Sequence, residues 1–202
     1  MIGPKERLSR RERANLFVKG ARSFSLKEGW TKRQTKPGQH GAQSSRLSSY
    51  AKQLREKQKV KRQYGMRERQ FRKFFEEAVR IAKNTSQDKG YIFLQMLERR
   101  LDNVIYIATL AKSKNSARQV VSHNHVKVNG KRLDTPSALV NVGDVIEISP
   151  KVADKVKADY KGLAIPSWLS VEGNKIVVSA LPIRSDIDQM IKESLIVELY
   201  SR

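Results

Sequence analysis

Basic and acidic residues are sorted along this chain rather than mixed. Residues 1–86 carry 24 Lys or Arg against 7 Asp or Glu, a net of +17. Residues 99–132 carry 8 against Asp102 alone, a net of +7, while 87–98 stands at −1 and 133–202 at −2. The formal charge of +21 is therefore two basic regions on a nearly neutral remainder. Like charges at that density repel one another, and folding alone gives no reason to concentrate them. A chain made basic only for solubility intersperses its signs. The sorting predicts two surfaces for a polyanion.

The scaffold that carries them has limited material. Two hundred and two residues fit two domains of ordinary size. The hydrophobic fraction of 39%, even with 11 glycines counted in, stays a little below the globular norm, so the core is modest. With no cysteine there is no disulfide, thiolate metal site or cysteine nucleophile, which fits a reducing compartment. No apolar run approaches the ~18 residues of a membrane span. The start, Met1 to Arg7, lacks the apolar segment of a secretory signal. The expectation is an intracellular, soluble protein.

The first 45 residues are basic and weakly patterned, with a short helix expected where Arg10, Arg11 and Arg13 lie close to Leu16, Phe17 and Val18. The rest reads as an extension that orders only against something else; a solubilising tail is the alternative, against which Phe24 and Trp30 argue. Ser48 or Ser49 can cap a helix in which Lys52, Arg55, Lys59 and Arg62 share one face, ending near Tyr64-Gly65. A second helix buries Phe71, Phe74, Phe75, Ala78, Val79 and Ala82, flanked by Arg67, Arg69, Arg72 and Lys73. A solvated charged face is the bland reading. Between 46 and 73, however, 11 basic residues meet only Glu56 and Glu68, too few acids for alternating pairs, so the pattern predicts phosphate binding.

One further helix is expected through Phe93, Met96, Leu97, Leu101 and Val104, with a domain boundary near residue 90. Ser113 can cap a short helix that turns Ala117, Val120 and Val121 inward and sets Lys114 and Arg118 outside. Val126-Lys127-Val128, the turn Asn129-Gly130 and Lys131-Arg132-Leu133 read as a hairpin. Val145–Ile148 reads as another strand, and Gly173-Asn174 as a second hairpin turn. Residues 187–200 read as an amphipathic helix or docked tail with Ile191, Leu195 and Ile196 inward. The fold class is α+β.

Several of these stretches resemble known sequences. Arg100-Leu101-Asp102-Asn103-Val104, Ser116 to His123, Val128-Asn129-Gly130 and Val142-Gly143-Asp144 resemble the S-four RNA-binding module. Pro37 to Gly41, Gln53 to Val60, Tyr64-Gly65, Glu68 to Phe71 and Leu195 to Ser201 extend the resemblance, in unchanged order, to the bacterial-type small-subunit ribosomal protein S four family. The resemblance implies a basic extension at 1–45, a helical domain at 46–90 plus 184–202, and an inserted S-four-type domain at 91–183. It further implies a primary binder of 16S-type ribosomal RNA, gripping a helix junction of the 5′ domain early in assembly. Proteins S three and S five would be neighbours, beside the channel through which messenger RNA enters, and decoding accuracy would be affected. The setting would be the cytoplasmic ribosome rather than an organellar one.

The residues assigned to RNA are Arg10, Arg11, Arg13 and His40 in the extension. On the helical pair they are Lys52, Arg55, Lys59, Arg62, Tyr64, Arg67, Arg69 and Arg72. On the module they are Lys114, Arg118, Gln119, Ser122, His123, Asn129 and Lys131. Two departures from the family stand out. Many members carry a zinc-binding cysteine cluster that is absent here, and Ile107-Ala108-Thr109 replaces a segment where members often place a basic residue and a glycine.

No nucleotide-binding loop, hydrolase signature or metalloprotease motif occurs, so no catalytic residue, cofactor, metal or small-molecule substrate is assigned. His123 and His125 lack a third metal ligand nearby. Asp154, Asp159, Asp186 and Asp188 lie in the least basic region, away from where a nuclease would want them. An RNA-modifying enzyme or a stress or ribosome-rescue RNA binder sharing the module is the alternative. The first would need a catalytic domain; the second would lack the helical pair and the tail.

Overall fold

Side-chain caps start several helices, because the first amides of a helix have no partner within it. The computed structural model describes residues 4–43, 46–156 and 164–201; Asp159 lies outside them. In chain order the helices α1 (Lys5–Glu12), α2 (Gly29–Lys32), α3 (Ser49–Gln63), α4 (Glu68–Thr85) and α5 (Lys89–Glu98) come first. Then follow α6 (Leu101–Ile107), α7 (Lys114–Ser122), strands β1 (Val126–Val128), β2 (Lys131–Arg132) and β3 (Val145–Ile148), and α8 (Pro150–Val156). Strands β4 (Leu169–Glu172) and β5 (Lys175–Val178) precede the closing helix α9 (Glu193–Tyr200). Glu28 accepts from the amides of Trp30 and Thr31 to cap α2, Ser48 from Ala51 for α3, and Ser113 from Ser116 for α7. The chain divides into two compact units, Met1–Phe93 with Asp188–Arg202, and Leu94–Ile187.

In the first unit α4 buries Phe71, Phe74, Phe75, Ala78 and Ala82. Phe93 meets Phe71 and Phe75 edge-on at 5.0 and 5.5 Å, and Tyr200 of α9 stacks on Phe75 at 4.6 Å. Helix α9 packs along α3, with Ile191 and Ile196 buried and Leu195 half-buried.

Residues 4–43 differ from the expected unpatterned extension. Leu16 is fully buried, Asn15 donates to the carbonyl of Ser23 and accepts from the amide of Phe17, and a 3₁₀ turn spans Gly20–Phe24. Side chains here do for the backbone what a sheet or long helix would do, which is why periodicity misses it. The helix expected near Arg10–Val18 ends earlier, because Arg13 turns left-handed at φ 55°.

The second unit is an antiparallel sheet of order β2-β1-β3-β5-β4 covered on one face. Val126, Ile146, Ile148, Ile176 and Val178 meet Val104, Ile105, Ala117 and Val121 in a single apolar core. The Asn129-Gly130 turn has φ 50° and 78°, both left-handed as a type I′ turn demands. The single helix expected through Phe93–Val104 is in fact two. Arg100 is extended at the junction, pairs in a bridge with Leu139, and buries its guanidinium on both oxygens of Asp102 at 3.0 and 2.6 Å. Arg99 adds a bond to the carbonyl of Val140. Neither long-range interaction leaves a trace in helical spacing.

Candidate nucleic-acid interface

The cation face of α3 is largely turned into the protein. Glu12 at the end of α1 has a side chain only 1% exposed, and it receives Arg55 at 3.1 Å and Arg62 as well. Lys59 pairs with Glu56 at 2.7 Å and donates to the carbonyl of Met190 at 2.6 Å. Lys57 and Lys61 converge on Glu68 at 2.6 and 2.7 Å. Of the four cations in the sequence stripe, Lys52 alone is exposed. The stripe thus seats α1 and the returning C-terminal segment.

Other assigned residues of this unit sort the same way. Arg10 donates to the carbonyls of Thr35 and Lys36, bracing the N-terminal segment. Tyr64 is buried, and Arg72 pairs with Glu76 at 2.9 Å on the surface. Arg11, Arg13, His40, Arg67 and Arg69 are exposed, as is Lys73, which the sequence pattern leaves unassigned. Beside them, burial opposes ionisation of Glu68, but hydrogen bonds from Lys57 and Lys61 prevail and hold its carboxyl below the usual range. Burial first, then Glu68, pushes the Tyr200 phenol up.

In the second unit α7 turns Ala117, Val120 and Val121 into the core and leaves Arg118, Gln119, Ser122 and His123 exposed. Arg118 is 3.6 Å from Asp102, the carboxylate already held by Arg100, so one acid anchors a buried and a surface guanidinium. Lys114 lies over the Tyr106 ring at 5.5 Å. Asn129 is spent on the hairpin: its amide donates to Asp144 and its carbonyl accepts from the amide of Val145. Lys131 is exposed at the hairpin, opposite Val128. Lys127 and Arg132, absent from the sequence assignment, are exposed on the other strand face. The alternation of β1 could have exposed Lys127, since its neighbours Val126 and Val128 point inward.

Residues 1–98 match the family model for the Ribosomal protein S4/S9 N-terminal domain, and residues 99–146 match that for the S4 domain. A small ribosomal subunit protein uS4 of Caldicellulosiruptor saccharolyticus is 50% identical over the whole of this chain and 98% of its own length. The chain belongs to the uS4 family. Its uS4 relatives include those of Geobacter sulfurreducens, 45% identical over 99% of this chain and 98% of their protein, and Petrotoga mobilis, 44% identical over 100% and 98%.

Against the uS4 pattern the segment Ile107–Thr109 gains a structural meaning. Helix α6 ends in a Schellman turn: the amide of Thr109 bonds to Tyr106 and that of Leu110 to Ile105. The turn requires a left-handed residue, and Thr109 supplies it at φ 60°. Among the described residues no three of His, Cys, Asp and Glu converge as a metal site.

Proposed function

We propose that this protein is a structural component of the small ribosomal subunit and works by binding RNA rather than by catalysis. The observation that carries the reading is the outward face of α7, polar and cationic from Arg118 to His123, in a chain of the uS4 family. Basic side chains fix register on phosphates, and a folded RNA is recognised by shape more than by base sequence. The target is a helix junction in the 5′ domain of 16S-type RNA, bound early in assembly. Proteins S three and S five are the neighbours, with messenger RNA passing nearby and decoding accuracy affected, in a cytoplasmic ribosome. The exposed cations Arg11, Arg13, Lys52, Arg67 and Arg69 carry the first unit's share.

The test is sedimentation in a sucrose gradient together with binding to the isolated 5′-domain RNA. Co-migration with the small subunit is the expected result; protein left at the top of the gradient at low salt sinks the reading. Affinity for that RNA is expected to fall steeply with salt, as phosphate binding releases counterions.

A further inference from the structure

The sheet of the second unit presents a charged outer face. Residues directly opposite one another in an antiparallel ladder share a face, and the register sets Arg132, Lys127, Glu147 and Lys175 in one row across four strands. Val126, Ile146 and Ile176, on the other face, are buried, so the row points outward. Glu147 is held by Lys175 at 2.8 Å. Lys127 and Arg132 stand directly opposite each other, and Lys127 shares Glu147, its neighbour on the other side, with Lys175. Like charges so placed destabilise a free sheet. An anion between them would reverse that cost.

The row borders an open groove of about 640 Å³, lined also by His123, His125 and Lys151. That volume is of ligand-cleft size. His123 closes α7, so the groove continues the outward face of that helix. The two imidazole rings lie 6.3 Å apart. The wall formed by Ser149, Lys151 and Lys175 lies beyond residues 99–146, where the S4 domain match ends.

We propose that this groove extends the RNA surface of α7 onto the sheet and takes a single-stranded segment. Its phosphates meet Lys127, Arg132 and Lys151, and its bases lie against the rings of His123 and His125. A duplex keeps its bases stacked inside, whereas splayed bases reach aromatic and imidazole faces. An acidic peptide would use the cations and leave the rings idle. The site deepens the RNA-binding reading above and rests on it.

The experiment measures anisotropy of a labelled uridine oligonucleotide with the full chain, alongside the structured 5′-domain RNA. In the variant Lys127→Gln with Arg132→Gln and Lys151→Gln, oligonucleotide affinity is expected to fall tenfold or more. The salt slope is expected to drop by about 2, for three phosphates on a single strand. The double change His123→Ala with His125→Ala is expected to weaken binding without altering the slope. The charge variant is expected to melt close to the parent, because the Lys127–Arg132 repulsion is removed while Lys175 still holds Glu147. Equal oligonucleotide affinity in parent and charge variant overturns the proposal, as does a lower melting temperature that accounts for the loss. Displacement by a glutamate heptapeptide as readily as by unlabelled RNA also overturns it. If the parent binds the oligonucleotide through these residues but not the structured RNA, the groove stands and the ribosomal reading falls.

Discussion

A left-handed residue ends α3, α6 and α7, and its identity differs each time: Gly65 at φ 63°, Thr109 at 60° and Asn124 at 62°. Each turn closes with the same pair of Schellman hydrogen bonds. Glycine adopts this conformation freely and asparagine tolerates it, but a β-branched side chain crowds the backbone there. Thr109→Gly is expected to stabilise the second unit by about 0.5–1 kcal/mol, the strain relieved less the entropy glycine loses. A urea midpoint lower than the parent's would show that the Thr109 side chain contributes more than it strains. Glu12 presents the opposite case, an acid on which the surroundings depend. Burial pushes the Glu12 carboxyl up in spite of the two arginines. Glu12→Gln therefore relieves a buried charge while it leaves Arg55 and Arg62 half-buried without a carboxylate, and a net loss of about 1 kcal/mol of stability is expected. Thermal denaturation reads it. An unchanged melting temperature would mean that the two guanidiniums simply swing into water.

At the scale of elements, α9 is fastened by groups that titrate at opposite ends of the pH range. Tyr200 donates to Glu68 at 3.3 Å, and Lys57 sits both on Glu68 and 5.7 Å from the Tyr200 ring. Glu68 has a depressed folded pKa, so its contribution is present above the ordinary carboxylate value near 4.3 and is lost as pH falls through the folded value. Tyr200 has a raised folded pKa, so its contribution is complete below the ordinary phenol value near 10 and declines as pH rises above it. Docking of α9 is therefore strongest between about pH 5 and 10. Urea midpoints measured across and beyond that range are expected to show both limbs in the parent. Glu68→Gln flattens the acid limb, and Tyr200→Phe the alkaline one; a variant that leaves its limb unchanged refutes that fastening. None of this is legible in the sequence, because Tyr200 lies 132 residues from Glu68 and Lys57 reaches Glu68 across the break between α3 and α4. What is legible is local: the Ser113 cap, the Asn129-Gly130 turn and the Phe71–Ala82 stripe each need only neighbours within a few residues. Arg100 shows the limit, since only a carboxylate two positions away and strand pairing with Leu139 explain why a helix breaks at a residue that favours helices.

For the molecule as a whole, net charge locates the polyanion surfaces only coarsely, because a count of cations does not separate those that bind RNA from those that bind the protein itself. Arg10, Arg55, Lys59 and Arg62 hold the first unit together through Thr35, Glu12, Glu56 and Met190. Arg11, Arg13, Lys52, Arg67, Arg69 and Lys73 face water. Both groups come from one basic run, so spacing alone assigns them together, and only the packing of α1 and of the returning C-terminal segment onto α3 tells them apart. The distinction predicts a double dissociation. Neutralising Lys52, Arg67 and Arg69 together is expected to leave the melting temperature within experimental scatter and to lower affinity for the 5′-domain RNA, with the salt slope reduced by about one for each phosphate left without its cation. Neutralising Arg55 and Arg62 is expected to lower the melting temperature, with RNA affinity recovered wherever the protein remains folded. Calorimetry and a salt titration of both variants decide between this division of labour and a face on which every cation serves both ends. Equal losses of affinity from the two sets, at temperatures where both are folded, would return Arg55 and Arg62 to the RNA surface.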